Sequence, residues 1–259
     1  MARFTVEPAR EVTPGVFVIE RVASSGFSLG MVLVRLPDGG LLVYSPTWLG
    51  ADTWSRVEAV GRPSVLVAPN HFHHLSLGRY RERYPQASAV ASRGALPRLR
   101  ARGHEGLAAL EQVESALPPG GAFLQPAGLK NGEAWLALSR GAGHGSEGGG
   151  GGSSGGDDRG GSTSAAASTT WIVGDAFFNM TRPVTGVPGF FMRRLGIVPG
   201  LRIGDPWRWL GVGDRAAYRA WVREKLAAAP PQRLVFAHGE PLAAADLGAR
   251  LQSLVDARI

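Results

Sequence analysis

Apolar positions in this chain fall into short runs divided by turn residues. Val16 to Val22 alternates loosely, as a strand does. Met31 to Leu36 and Leu41 to Tyr44 flank Pro37-Asp38-Gly39-Gly40, which predicts a β-hairpin around the Asp-Gly pair. Ala51 to Val60 reads as a helix, with Asp52 placed to assist its first turn. Ser64 to Ala68 is continuously apolar, the pattern of a strand covered on both faces, and it ends at Pro69. Leu77 to Tyr84 has helical character and stops at Pro85.

Further on, Ser88 to Ala91 predicts a strand, Ala95 to Leu117 a mostly helical stretch broken near Gly103, and Ala134 to Leu138 another strand. Thr170 to Val173 and Arg233 to Ala237 are buried-type strands. Ala216 to Ala229 and Leu242 to Ala257 are predicted helices, the first with Tyr218, Trp221, Val222 and Leu226 on one face. Between them, Phe177 to Gly213 is rich in Pro, Gly and aromatic residues. Phe190, Phe191, Trp207 and Trp209 in that segment are expected to serve in core or lid packing, or to line an apolar pocket.

Composition changes the picture at one place. Residues 141–169 hold 12 of the 37 glycines, with Ser, Thr, Ala and Asp filling most of the rest. Such a stretch buries too little apolar area to offset its ordering entropy, and it reads as a disordered insertion. The strand that follows needs the earlier strands as neighbours, so the expectation is one domain over 1–259 with the insertion inside it. A chain of 259 residues with 44% apolar residues can bury a full core.

Charge and targeting add less. The formal net charge of +7 comes from arginine, since only two of the 28 basic residues are lysines, Lys130 and Lys225. The arginines are scattered, which argues against nucleic acid as a partner. The start of the chain lacks a basic segment followed by an apolar run, and no run approaches the length of a spanning helix. A cytoplasmic protein without a membrane partner is expected. The sequence does not speak to oligomeric state or to which small molecule would be the substrate.

Chemistry concentrates at strand ends. His71, His73 and His74 follow the Ser64–Ala68 strand, Asp175 follows Trp171–Val173, and His238 follows Leu234–Ala237. Open α/β sheets place ligands at the C-terminal ends of strands, so three such tips can converge. With no cysteine in the chain, a metal there must be held by imidazole and carboxylate, which suits zinc or iron. In an extended chain His71 and His73 would project to the same side. The expected ligand set is His71, His73, His74, Asp175 and His238, for one divalent ion.

These motifs resemble the metallo-β-lactamase superfamily, in which a long motif reads His-x-His-x-Asp-His, a Gly-Asp follows a later strand, and a last strand ends in His. The resemblance covers nearly the whole chain and implies an α/β, four-layered αβ/βα sandwich. It aligns His71 and His73 with the first two motif histidines, Asp175 with the metal-bridging Asp and His238 with the last His ligand. The motif's Asp and final His fall on Leu75 and Ser76, which are not metal ligands. The early Asp-x-Gly is replaced by Ser45-Pro46, and the remaining His ligand has only His144 as a counterpart. Ser45-Pro46, His73-His74-Leu75 and Gly174-Asp175 are similar to a branch of the superfamily whose activity is not assigned. In the full family, metal ions activate a water that attacks an ester, amide, thioester or phosphodiester. Here the resemblance implies a reduced, mononuclear hydrolase, with His74 as a substitute ligand or proton shuttle. The alternatives are a degenerate member that binds a ligand or partner without catalysis, and a nuclease.

Overall fold

The computed structural model describes residues 4–23, 28–141 and 168–259. The glycine-rich stretch expected to be disordered lies almost wholly outside the described residues, as does His144. At its far edge the structure corrects the boundary, because Ser168 and Thr169 already belong to a strand.

In chain order the strands are β1 (Phe4–Val6), β2 (Arg10–Thr13), β3 (Val16–Ala23), β4 (Ser28–Arg35), β5 (Leu41–Tyr44), β6 (Pro63–Ala68), β7 (Ser88–Ala91), β8 (Ala108–Ala109), β9 (Gly121–Leu124), β10 (Trp135–Arg140), β11 (Ser168–Val173), β12 (Phe178–Met180), β13 (Gly200–Arg202), β14 (Arg233–Phe236) and β15 (Leu242–Ala243). The helices are α1 (Thr53–Glu58), α2 (Leu77–Arg83), α3 (Leu96–Arg100), α4 (Gly186–Arg194), α5 (Asp205–Leu210), α6 (Arg215–Ala228) and α7 (Leu247–Arg258). No helix among the described residues is long and apolar enough to cross a membrane.

Two sheets carry the architecture. One has eight strands in the order β1-β3-β4-β5-β6-β7-β8, with β2 on β3, and the other runs β15-β14-β11-β10-β9. The hairpin predicted around Asp38-Gly39 is β4–β5, with Val32 opposite Tyr44. Strands β5, β6 and β7 run parallel, as do β11 and β14.

Side-chain alternation sorts the strands into layers. Val65 and Val67 of β6 meet Leu136, Leu138, Ile172 and Val235 between the two sheets. Their neighbours Leu66 and Ala68 face outward onto Leu77, Tyr80 and Leu99 of α2 and α3. On the second sheet Leu234 and Phe236 turn outward to Tyr218, Val222, Leu251 and Val255 of α6 and α7. Both faces of each central strand are therefore buried, which is why these strands read as unbroken apolar runs. Helix, sheet, sheet and helix make four layers.

Two expectations are corrected here. The predicted mostly helical stretch Ala95–Leu117 holds α3 at its start and breaks near Gly103 as expected, but the chain then forms the edge strand β8 before a 3-10 turn at Leu110–Ala116. Gly103 and Gly106, both with positive φ, break the helix and let the chain reach β7 again. The final predicted helix begins later, because Leu242-Ala243 pairs with β14 before α7 starts. In both places apolar residues that fit a helical period were captured by an open sheet edge.

One buried polar residue in this frame stands out. Glu20 of β3 is 6% exposed and lies opposite Gly30. Burial, then the nearby Glu240 carboxylate, raises its pKa to about 8. The folded protein therefore holds a proton that the unfolded chain releases near pH 4.5, and stability falls as pH rises from about 4.5 to about 8. Glu20→Gln is expected to remove that fall and to stabilise the protein at pH 8 by a few kcal/mol. Thermal melts of both proteins across this range check it, and parallel pH profiles would refute it.

Candidate metal centre

The parallel strands of both sheets end on one edge of the sandwich, and that edge carries the polar cluster. Two backbone bonds hold the sheets together there. Gly30 N–H of β4 donates to Ala237 O after β14 (3.0 Å), and Ala134 N–H before β10 donates to Pro69 O after β6 (2.8 Å).

Past Pro69 the chain does not stay extended. The Asn70 side-chain oxygen accepts from the backbone N–H of Phe72 (2.8 Å) and of His73 (3.3 Å), folding the segment into a tight turn. The period-two argument for His71 and His73 fails for this reason. His71 is buried and donates from Nδ1 to Asn131 O (2.8 Å). Burial lowers its pKa, so it stays neutral near pH 7. His74 turns the other way and shares a hydrogen bond with His104, Nδ1 to Nε2 at 2.9 Å. Burial and then His104 lower its pKa.

Of the five expected ligands, the structure brings together His73, Asp175 and His238. One ligand atom from each lies within 4.8 Å of the others. Asp175 Oδ1 is 2.8 Å from His73 Nε2 and 3.3 Å from His238 Nε2. His71 and His74 are not in this group. Leu75 is 87% exposed, and the Ser76 hydroxyl accepts from Trp48 N–H (2.8 Å), so neither faces the cluster as a ligand.

The far sides of the three ligand groups are held as well. His73 Nδ1 shares a 2.7 Å hydrogen bond with Ser45 Oγ. His238 Nδ1 donates to Ser28 O (3.4 Å). Asn70 Nδ2 donates to Asp175 Oδ2 (2.9 Å). Ser45 sits at the tip of β5 with φ of 61°, the only positive φ outside glycine among the described residues. Strain at a site of this kind is maintained only by the surrounding structure. It turns the Ser45 hydroxyl onto His73. This hydroxyl stands at the strand end where the sequence resemblance leads one to expect an Asp-x-Gly.

The donor set fits a divalent cation. Because the Ser28 carbonyl can only accept, His238 Nδ1 carries the hydrogen, and Nε2 faces the Asp175 carboxylate. Two acceptors facing each other need a proton or a cation between them. The 3.3 Å separation also matches two ligands at about 2 Å from one tetrahedral ion. Outer partners that fix each imidazole with Nε2 inward are what metal sites use to orient histidine.

A second carboxylate supports the first. Glu133, 2% exposed, accepts from Trp135 Nε1 (2.9 Å), Trp207 Nε1 (2.8 Å), Ala176 N–H (3.0 Å) and Asn131 Nδ2 (3.2 Å). It fixes the residue after Asp175, and its side chain lies so close to Gly174 that a Cβ there would approach its carboxyl carbon to 3.2 Å. A side chain at 174 would therefore require the Glu133 carboxyl to shift by a few tenths of an ångström. Burial and the Asp175 charge raise the pKa of Glu133. Sequence reading missed Glu133 as a site residue and assigned no role to Asn70 or Ser45. The available signals were an Asn directly after the strand-ending Pro69 and a lone acid in Asn131-Gly132-Glu133, just before an apolar strand.

Beside Asp175 and His238 opens a cavity of about 310 Å³, lined otherwise by apolar groups including Phe72, Phe178, Met180, Met192, Trp207 and Leu210. Trp207, expected in core or pocket, is buried and lines this cavity. Phe190, Phe191 and Trp209 are exposed instead.

Two outcomes follow. Burial lowers the His73 pKa, but the charge and hydrogen bond of Asp175 outweigh it and the net shift is upward. His73 then stabilises the metal-free fold fully below pH 6.5, and that contribution is lost as pH rises through its folded pKa. NMR of chelator-treated protein should show His73 titrating above 6.5, and below it in Asp175→Asn, where burial dominates; an unmoved titration would exclude the pairing. Glu133→Ala should leave the two indole N–H groups and Ala176 N–H unpaired and cost about 3 kcal/mol or more, read by denaturant unfolding.

Among solved structures, a metallo-β-lactamase from Erythrobacter litoralis, with β-mercaptoethanol in its active site, aligns with 98% of this chain and 100% of its own, at a TM-score of 0.58 and 12% identity. A metallo-β-lactamase from Hirschia baltica aligns over 96% of this chain and 98% of its own, at a TM-score of 0.55 and 10% identity. No family model matches the sequence, and no curated protein matches it. Identities this low speak to architecture, and the architecture is full-length: the chain has the metallo-β-lactamase fold.

Proposed function

We propose that the protein binds one divalent metal ion through His73, Asp175 and His238 and is a mononuclear metal-dependent hydrolase. The observation that carries this reading is the convergence of three ligand atoms within 4.8 Å from three separate strand ends, two of them imidazole nitrogens whose other ring nitrogen is already engaged. A divalent ion such as zinc or iron, when bound, supplies an activated water and polarises the scissile carbonyl or phosphoryl group.

The chain's own residues do the rest. Asn70 and Ser45 hold Asp175 and His73 in place, and Ser28 O orients His238. Three protein ligands leave a coordination position for water, the arrangement of catalytic rather than structural sites. The adjoining cavity takes the apolar part of a small-molecule substrate, and Phe72 at its mouth limits the entry of water. His71 and His74 are outside the proposed ligand set because, among the described residues, the ligand atoms that lie within 4.8 Å of one another come from His73, Asp175 and His238 alone. A second reading, a ligand-binding protein without catalysis, is favoured by the apolar lining of the same cavity.

Metal analysis of protein purified without chelator tests the proposal. About one equivalent of zinc, iron or manganese is expected, lost in His73→Ala and in Asp175→Ala and kept in His74→Ala. Less than about 0.2 equivalents in the parent would sink the hydrolase reading and leave the binding one.

A further inference from the structure

The exposed large apolar side chains are not scattered. Among the described residues they are Phe72 and Leu75 after β6, Val187, Phe190 and Phe191 on α4, and Trp209 and Leu210 at the end of α5. Val187 is 72% exposed and Phe191 60%. The three segments surround one opening: Phe72, Met192 of α4 and Leu210 of α5 line the same cavity. Asp205 N–H donates to Leu195 O (3.1 Å), joining the end of α4 to the start of α5. Monomeric proteins seldom leave such a group uncovered unless it meets something.

Charge identifies the partner. Residues 181–213 contain Arg182, Arg193, Arg194, Arg202 and Arg208 and a single acid, Asp205. That acid is already ion-paired with Arg208 (2.5 Å) and Arg258 (2.7 Å). Arg182, Arg193, Arg194 and Arg202 are exposed, and the Arg194 guanidinium lies over the Phe190 ring at 5.5 Å. A second copy of the chain on a two-fold axis would bring this arginine-rich face against itself. A nucleic acid would satisfy the arginines and stack on Phe or Trp, but it offers Val187, Leu75 and Leu210 nothing. A bilayer with anionic headgroups satisfies both components, since aromatic and aliphatic side chains enter the acyl boundary while arginines stay with the phosphates.

We infer that the α4–α5 face docks the protein on an anionic lipid surface, with Val187, Phe190, Phe191, Trp209 and Leu210 at headgroup depth. The cavity mouth then opens toward the lipid, and an apolar ligand can enter from the membrane. The expectation of no membrane partner rested on the lack of a spanning segment, which peripheral docking does not need. Docking is independent of the metal ion.

The test is co-sedimentation of the full chain with vesicles of phosphatidylcholine alone and with about 30% phosphatidylglycerol. Binding is expected to the anionic vesicles, at least about tenfold tighter than to neutral ones and weakened by salt. The double variants F190S/F191S and R193E/R194E should each lose about tenfold or more of that binding, with unchanged thermal melts because these side chains are exposed. Chelator-treated protein should bind equally, which separates this inference from the metal proposal. Equal binding by parent and variants, or no preference for anionic vesicles, overturns the inference. A concentration-dependent dimer abolished by F190S/F191S without vesicle binding would overturn it in favour of a second copy. Tighter, variant-sensitive binding to single-stranded RNA would overturn it in favour of nucleic acid.

Discussion

A carboxylate withdrawn from water must be paired, and the pairing of Asp175 organises the working edge of this protein. Its two oxygens meet Asn70, His73 and His238, which stand on the tips of β6 and β14, while Asp175 itself follows β11. Burial works against the charged form, and the two histidines outweigh it, so the group stays ionised well below the usual carboxylate range. A shift in any of these strands would leave a buried charge without a partner, a cost of several kcal/mol. The two sheets are thus tied to one mutual position by the site as well as by the apolar layer between them.

Around that charge the supporting residues have little freedom. Glu133 collects four N–H donors and ties the Asp175 turn to Trp207, so one wall of the cavity and one member of the cluster share an anchor. Gly239, with φ of 95°, packs so closely on Asn179 that a Cβ would come to 2.2 Å of its carbonyl oxygen, which keeps the turn after His238 in place. Ser45 holds its left-handed backbone where a flexible residue would be easier to accommodate. The buried Glu133 carboxylate, the partly buried Asp175 carboxylate and two imidazoles in this arrangement form a polar centre between apolar layers, where electrostatic interactions are strong.

The cavity gives the centre a direction. Apart from Asp175 and His238 its lining is apolar, so any ligand it takes is anchored by burial and meets polar chemistry at one end only. The same lining continues outward to the exposed side chains of α4 and α5. This portion of the chain, rich in Pro, Gly and aromatics, differs from the strands in having its apolar groups on both the inside and the outside.

Local pattern was enough to determine the strands buried on both faces, the β4–β5 hairpin, the helices α2 and α6, and the order of histidine and acid at strand ends. Unbroken apolar runs and turn residues carry those features without help from distant parts of the chain. Residues 108–109 and 242–243 were misjudged because an open sheet edge, invisible locally, took residues that suit a helix. The site shows the same division. Three histidines in four residues marked the right place, but only the tertiary structure decided that His73 faces Asp175 while His71 faces Asn131 and His74 faces His104. The deciding agents, the Asn70 turn and the partners 28 to 105 positions away, act through space, where sequence spacing carries no information about direction.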